Sequence, residues 1–200
     1  MARPIVAIDA DGVLLDYNLA YASAWEKAFG IYPVERDPSG YSALDRWDVG
    51  FLDGEKLAHL RKFFQEDFWS SIPAMNGALE GCHLLVQAGY ELVCVTSLPA
   101  KFWDARLKNL QNHGFPIDIV HTVDHTESGR SPKADVLDNI KPVAFVDDYL
   151  PYLFGVNESI HRALIMRDGN GSPNHGPDLR FASSQHENLL AFSRWWCMRQ

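Results

Sequence analysis

Three observations predict an α/β fold built on a mostly parallel sheet, with a small helical unit inserted after the first strand. Short apolar runs alternate with helical patterns along most of the 200-residue chain, as expected of βαβ units. The first run, Ile5-Val6-Ala7-Ile8, leads directly into Asp9-Ala10-Asp11-Gly12-Val13, and the carboxyl end of a strand is where an open α/β sheet carries its chemistry. Between positions 17 and 73 the alternation breaks, and helical patterns follow one another with no convincing strand between them.

Candidate strands lie at 5–9, 91–96, 117–121, 143–147 and 163–166, each a short apolar run next to turn-forming or polar residues. In the insertion, 18–29 and 55–69 read as amphipathic helices, separated by Pro33, Pro38, Gly40, Gly50 and Gly54. Trp25, Phe29, Tyr32, Tyr41, Trp47, Phe51, Phe63, Phe64, Phe68 and Trp69 are expected to supply the insertion's own core, with one or two left to line a pocket. A helix over 76–88 places Ala78, Leu79, Cys82, Leu85 and Val86 at helical spacing and stops at Gly89. The next, over 98–113, stops at Gly114, with Lys101 and Arg106 expected on its solvated face.

Further on, Ser131 can cap a helix and Pro132 suits its first position, which puts Lys133 at a helix N-terminus. The Gly- and Pro-containing stretch 167–177 reads as a loop. Ser184-Gln185-His186-Glu187 has the pattern of a capping box ahead of a terminal helix carrying Leu189, Leu190, Phe192 and Trp196. The expected division is a core of 1–16 and 74–200 with a helical insertion of 17–73.

Hydrophobic residues at 46% and charged residues at 22% are ordinary for a globular protein, so disorder is not expected. A formal net charge of -8 argues against a nucleic-acid polymer as partner, because such binding needs a basic face that releases counterions. Cys82, Cys94 and Cys197 form no CxxC pair, so reduced thiols fit best, with Cys94 an inert core thiol. Met-Ala-Arg-Pro runs straight into the first strand, and no apolar run approaches the length of a membrane span. A cytoplasmic protein without membrane contact is expected, its oligomeric state left open. The eight histidines read as loop or surface residues, and Asp16 as a solvated turn acid.

The chemistry gathers at strand ends. Asp9 and Asp11, two apart on a strand, project to the same side, so one can attack while the other moves a proton. Thr96-Ser97 follow Leu92-Val93-Cys94-Val95, and Asp147-Asp148 follow Val143-Ala144-Phe145-Val146. Together with Lys133, a hydroxyl and four acids are the parts a phosphoryl-transfer site needs. Phosphomonoesters hydrolyse so slowly unaided that enzymatic enhancements reach the order of 10²¹, and positioning and charge stabilisation supply most of that. Converging carboxylates repel one another unless a hard cation such as Mg²⁺ relieves them.

This set resembles the haloacid dehalogenase superfamily of phosphohydrolases, over nearly the whole chain. Asp9 to Val13 look like that family's first motif, Thr96 its second, Lys133 its third and Asp147-Asp148 its fourth. The resemblance implies a Rossmann-like core with a helical cap after the first motif. It implies Asp9 as the nucleophile that forms an aspartyl-phosphate, and Asp11 as general acid and then base. Thr96, Ser97 and Lys133 would hold the phosphoryl oxygens. Mg²⁺ would be bound by Asp9, by the carbonyl of Asp11 and by Asp147 or Asp148. Dehalogenase members lack the second acid, so Asp11 favours phosphate-ester chemistry, whereas phosphomutases share both acids. In the cap, Arg46 and Trp47 read as a solvated arginine and a core tryptophan.

A narrower resemblance, to the 5'(3')-deoxyribonucleotidase branch, rests on Phe63-Phe64 through Trp69, on Ile72-Pro73-Ala74-Met75-Asn76-Gly77-Ala78-Leu79, on Val93 to Pro99 and on Ser183-Ser184. It implies a 5'-(deoxy)nucleotide substrate. Similar helices and Thr-Ser strand ends also occur in phosphoglycolate and sugar phosphatases, and 122–130 departs from the nucleotidase pattern.

Overall fold

The computed structural model describes residues 2–125, 129–167 and 171–199. Residues 126–128 and 168–170, inside two stretches read as loop, lie outside the described residues, as do the two chain ends. In chain order the elements are β1 (Ile5–Ile8), α1 (Tyr17–Phe29), α2 (Ala43–Arg46), α3 (Gly54–Arg61), α4 (Glu66–Trp69), α5 (Ala78–Gln87) and β2 (Glu91–Ser97). A 3₁₀ turn (Ala100–Phe102), α6 (Trp103–Asn112), β3 (Ile119–Val123), α7 (Ala134–Ile140), β4 (Ala144–Asp147), β5 (His161–Ile165), β6 (Ser184–His186) and α8 (Leu189–Cys197) follow.

The six strands form one sheet in the order β3-β2-β1-β4-β5-β6, every pairing parallel. This is the Rossmann order, in which the chain reverses direction across the sheet between β1 and β4 and opens a crevice at their carboxyl ends. Parallel strands buried on both faces need continuous apolar sequence, and the side chains of β1 and β4 divide accordingly. Val6, Ile8, Leu92, Cys94, Ala144 and Val146 enter a cluster with α5, α8 and the inserted helices. Ala7, Val93, Val95 and Phe145 face the other way, against Leu137 of α7. Cys94 is buried as expected, and burial pushes its thiol up to about 12.

Most elements shift by a residue or two from the sequence reading, and three differ more substantially. β3 starts two residues later than expected because its pairing with β2 runs from Val93–Ile119 to Ser97–Val123, while Ile117 is spent as a buried anchor before the strand. His121, the last residue of the expected strand, lies at the middle of β3. The expected helix over 55–69 is broken into α3 and α4 by a turn after Arg61. Ser184 starts no capping box: 184–186 form an edge strand whose backbone pairs with Ala163–Ile165, and the cap of α8 is Asn188, whose side chain accepts the Ala191 N–H at 2.9 Å. α8 then lies across α5, where Gly81 allows close approach: a Cβ there would meet Ser193 Oγ at 3.0 Å.

The insertion keeps only a small cluster of its own, Ala22, Ala43 and Trp47. Tyr17, Tyr21, Trp25, Phe29, Phe64, Phe68 and Trp69 make a continuous run of ring contacts, extended from Phe29 through His59 to Phe63, and this run merges with the main apolar cluster on one sheet face. Phe51 is excluded from any core, at 85% exposure. Trp47 is buried as expected. The two crossings between sheet and insertion are tied together: the Asp16 N–H donates to Pro73 O at 2.7 Å and the Met75 N–H to Leu14 O at 2.9 Å. Asp16 is no free turn acid. It caps α1 through the Leu19 N–H and pairs with Arg46, which also holds Glu35.

His59, His83, His125 and His175 are exposed as expected, whereas His161 and His186 are partly buried. His161 and His186 each place Nε2 within hydrogen-bond reach of Ser184 Oγ, at 2.7 and 2.8 Å, among the rings of Trp195, Trp196 and Phe192. Burial holds His186 down to about 4, reinforced by His161. Burial likewise lowers His161, helped by Arg199 and Arg162. A histidine whose native value is depressed binds its proton more readily unfolded, so its contribution is complete near neutrality and is lost as pH falls through the window from 6.5 to about 4. His186→Leu should therefore flatten the urea-midpoint profile relative to wild type between pH 6.5 and 4.5. Identical profiles would show that His186 contributes no such dependence.

Candidate active site

The crevice between β1 and β4 brings together Asp9, Asp147 and Asp148. Asp9 ends β1, its N–H donating to Val146 O at 2.9 Å, so it is locked beside the end of β4. Asp147 and Asp148 end β4, and Asp9, Asp147 and Asp148 are all buried with one carboxylate oxygen each within 4.8 Å of the others. Lys133 lies among them, fully buried. Its Nζ donates to Asp9 Oδ1 and to Asp147 Oδ2, both at 2.6 Å.

This position follows from α7. Ser131 Oγ accepts the Lys133 N–H at 3.2 Å, and the helix begins at Ala134, so the lysine leaves the first turn toward the crevice. The ring of Tyr152 sits 4.6 Å from its ammonium. Burial works against the charged lysine, but Asp147 and Asp9 outweigh it and raise its proton affinity. Burial pushes Asp147 well above the usual carboxylate range against the pull of Lys133, and Asp148 up to about 6 against the pull of Arg167.

The donor set suits a hard divalent cation. Three buried carboxylates converge, all ligand atoms are oxygen, and the cationic partners present neutralise only part of the acidic charge. The Asp11 carboxylate stands apart from this group. It is held by Arg106, whose Nη2 donates to Oδ2 at 2.7 Å. Burial raises the Asp11 carboxyl above its usual range, opposed by Arg106.

A cavity of about 420 Å³ opens over these groups. Asp9, Asp11, Gly12, Thr96, Ser97 and Asp148 form its floor, and Tyr17, Tyr41, Trp69, Tyr149 and Tyr152 supply aromatic walls. Thr96 is buried with Oγ1 lacking any partner, an orphaned hydroxyl in a pocket that a polar ligand would satisfy. Gly12 has a φ of 88°, and a Cβ there would come within 2.1 Å of Asp148 Oδ2. The turn after β1 can thus pass under Asp148 only as glycine.

Several lining residues were not singled out in the sequence. Arg167, just past β5, pairs with Asp148 at 2.7 Å and donates to Tyr41 O at 2.9 Å, tying the insertion to the sheet. Its position after a strand was a usable signal. Tyr41 donates its hydroxyl to Asp148 O at 3.0 Å, and Asn174 donates to the same carbonyl at 2.7 Å. His125, exposed in a loop as expected, also lines the cavity and pairs with Tyr152 through Nδ1 at 2.6 Å. Arg106 is the clearest correction. Expected in solvent, it is fully buried, because it continues the inward stripe of Phe102 and Leu110 at four-residue spacing. Lys101 is exposed as expected.

No protein-family profile matches the sequence, and no curated protein matches it. Solved structures do match. A dehalogenase superposes with a TM-score of 0.60 at 15% identity, covering 98% of this chain and 97% of that one. The D,D-heptose 1.7-bisphosphate phosphatase from B. bronchiseptica, complexed with magnesium and phosphate, gives 0.56 at 14% identity, covering 98% and 99%. A HAD family hydrolase from Deinococcus radiodurans R1, with bound phosphate and sodium, gives 0.56 at 15% identity, covering 92% and 90%. The fold is therefore that of the haloacid dehalogenase-like hydrolases, a Rossmann-like α/β core with helices inserted after its first strand. Among the described residues no helix is long and apolar enough to cross a membrane.

Removing Lys133 would leave Asp9 and Asp147 buried without their shared partner. Lys133→Met is expected to destabilise the fold by about 3–5 kcal/mol in urea unfolding. Gly12→Ala should cost about 1–3 kcal/mol by the same measurement, because it forces a left-handed alanine against Asp148. Wild-type stability in either variant would contradict the corresponding geometry.

Proposed function

We propose that this chain is a haloacid dehalogenase superfamily phosphatase that hydrolyses a small phosphomonoester through an aspartyl-phosphate on Asp9, with Mg²⁺ as cofactor. The observation that carries this reading is the separation of two carboxylates that share one short turn. Asp9 is held with Lys133 and Asp147 on the acidic side, while Asp11 is drawn off to Arg106. Such a division gives two acids two roles. Asp9 attacks phosphorus as the ester P–O bond breaks. Asp11 gives its proton to the departing oxygen and takes one back from the water that later cleaves the acyl phosphate.

Thr96, Ser97 and Lys133 would hold the non-bridging oxygens, and the orphaned Thr96 hydroxyl supports that assignment. Asp9, Asp147 and Asp148 would hold Mg²⁺ together with the carbonyl of Asp11; when bound, the ion would offset phosphoryl charge. The inserted helices, as residues 17–73, would act as a cap that excludes water, a role supported by the Arg167 contact to Tyr41.

A 5'-(deoxy)nucleotide is the leading substrate class. Five aromatic side chains wall the cavity, and aromatic faces stack well on a planar base. Phosphoglycolate or a phosphosugar would use the polar floor and leave these rings unengaged. A phosphomutase would share the two acids but return the phosphoryl group to its substrate.

Phosphate release should be measured on deoxynucleoside and ribonucleoside monophosphates, phosphosugars and phosphoglycolate, with Mg²⁺ and with EDTA. Turnover is expected with Mg²⁺, highest on a nucleoside monophosphate, and lost in EDTA. Asp9→Asn should reduce it by at least about 10³-fold. Isomerised product without net phosphate would replace the phosphatase reading by the mutase one, and an active Asp9→Asn variant would remove the nucleophile assignment.

A further inference from the structure

Packing of α6 places position 106 in the core but gives no reason for a charge there. Arg106 is fully buried on α6, and among the described residues its one hydrogen bond is the 2.7 Å contact from Nη2 to Asp11 Oδ2. Its Nε and Nη1 have no partner, nor does either side-chain polar atom of buried Asn109, one turn along the same helix. A buried guanidinium with so few partners costs stability, and an apolar residue would fill the stripe between Phe102 and Leu110 at less expense. Its aliphatic neighbours therefore do not account for it. Asp11 and Trp69 do.

We propose that Arg106 is a positioning residue for Asp11, holding the carboxylate through Oδ2 so that the acid meets the substrate in one orientation. The proposal rests on the phosphatase reading above. Asp11 Oδ1 is buried and without a partner, in a residue that lines the cavity. A carboxylate anchored by a charged donor is held in one orientation, which is the pre-organisation that proton transfer to a leaving group requires. In that step the Asp11 proton moves to the ester oxygen, the P–O bonding pair goes to that oxygen, and the bond from Asp9 to phosphorus forms. The negative charge left on Asp11 stays paired with Arg106 until the attacking water returns a proton to the carboxylate.

The arrangement also ties this acid to the insertion. The guanidinium carbon lies 5.5 Å from the centre of the Trp69 ring in α4, and Trp69 stacks on Tyr17 with centroids 6.1 Å apart. Both rings wall the cavity. The inserted helices thus contact the residue that orients Asp11, and their seating and the acid's geometry are coupled through one side chain.

Two measurements test this. In a double-mutant cycle by urea unfolding, Asp11→Asn and Arg106→Met should destabilise by amounts that do not add, the double variant losing less than the sum, because each single change strands the other's charge. Additive losses overturn the proposal whatever the enzyme does. In kinetics with Mg²⁺, Arg106→Met should lower kcat on propyl phosphate about tenfold more than on p-nitrophenyl phosphate, whose leaving group needs no proton, with the loss in kcat rather than KM. Arg106→Lys, which keeps a donor and a charge, should recover much of that difference. Equal losses on the two esters, or a lysine variant no better than methionine, would assign Arg106 to folding alone. Wild-type protein that turns over neither ester defeats the phosphatase reading and the catalytic part of this proposal with it, while the cycle still decides whether the pair exists.

Discussion

One buried ammonium group organises this molecule. Lys133 joins the N-terminus of α7 to the ends of β1 and β4 through Asp9 and Asp147, with no exposure to water on its side chain. Each of the three charges is buried against the others, so the removal of any one leaves its partners uncompensated. The sheet order follows suit: β1 and β4 must be neighbours for the two acids to share one lysine, and that neighbour pair is where the parallel sheet reverses direction. The remaining features are adjustments around this centre. Gly12 lets the chain turn beneath Asp148, and Arg167 and Arg106 balance the acids that Lys133 does not reach.

The three cations divide the four acids between them, and this division gives the crevice its chemical asymmetry. Lys133 takes Asp9 and Asp147, Arg167 takes Asp148, and Arg106 takes Asp11. Each cation comes from a different element: α7, the segment after β5, and α6. Two of them also touch the insertion, Arg167 through Tyr41 and Arg106 through Trp69. The insertion is therefore not an independent body resting on the core. Its aromatic run merges with the core's own apolar cluster, and its rings stand on the side chains that set the site's charge.

The sheet was legible because burial on both faces leaves a strong mark. Strands such as Val93-Cys94-Val95 must be apolar throughout, and their carboxyl ends are marked by the first polar residue, which is why Thr96 and Asp147 could be placed from sequence. β6 was not legible, because an edge strand with one neighbour tolerates Ser-Gln-His and so imitates a capping box. The insertion's breaks were blurred for a related reason: α3 and α4 share one amphipathic pattern, and the turn after Arg61 leaves no Gly or Pro to announce it.

The sequence by itself determined the parallel α/β core, the acids at the strand ends and the lysine at a helix start, because each of these depends on local pattern or on a few residues in order. Only the tertiary structure decided which cation meets which acid. That choice depends on the rotation of α6 and α7 about their axes and on where the chain after β5 passes, and long-range packing sets both. Arg106 shows the difference: its charge reads as solvent-facing, its spacing reads as core, and the sheet's need to cover Cys94 and Leu92 with α6 turned it inward, onto Asp11.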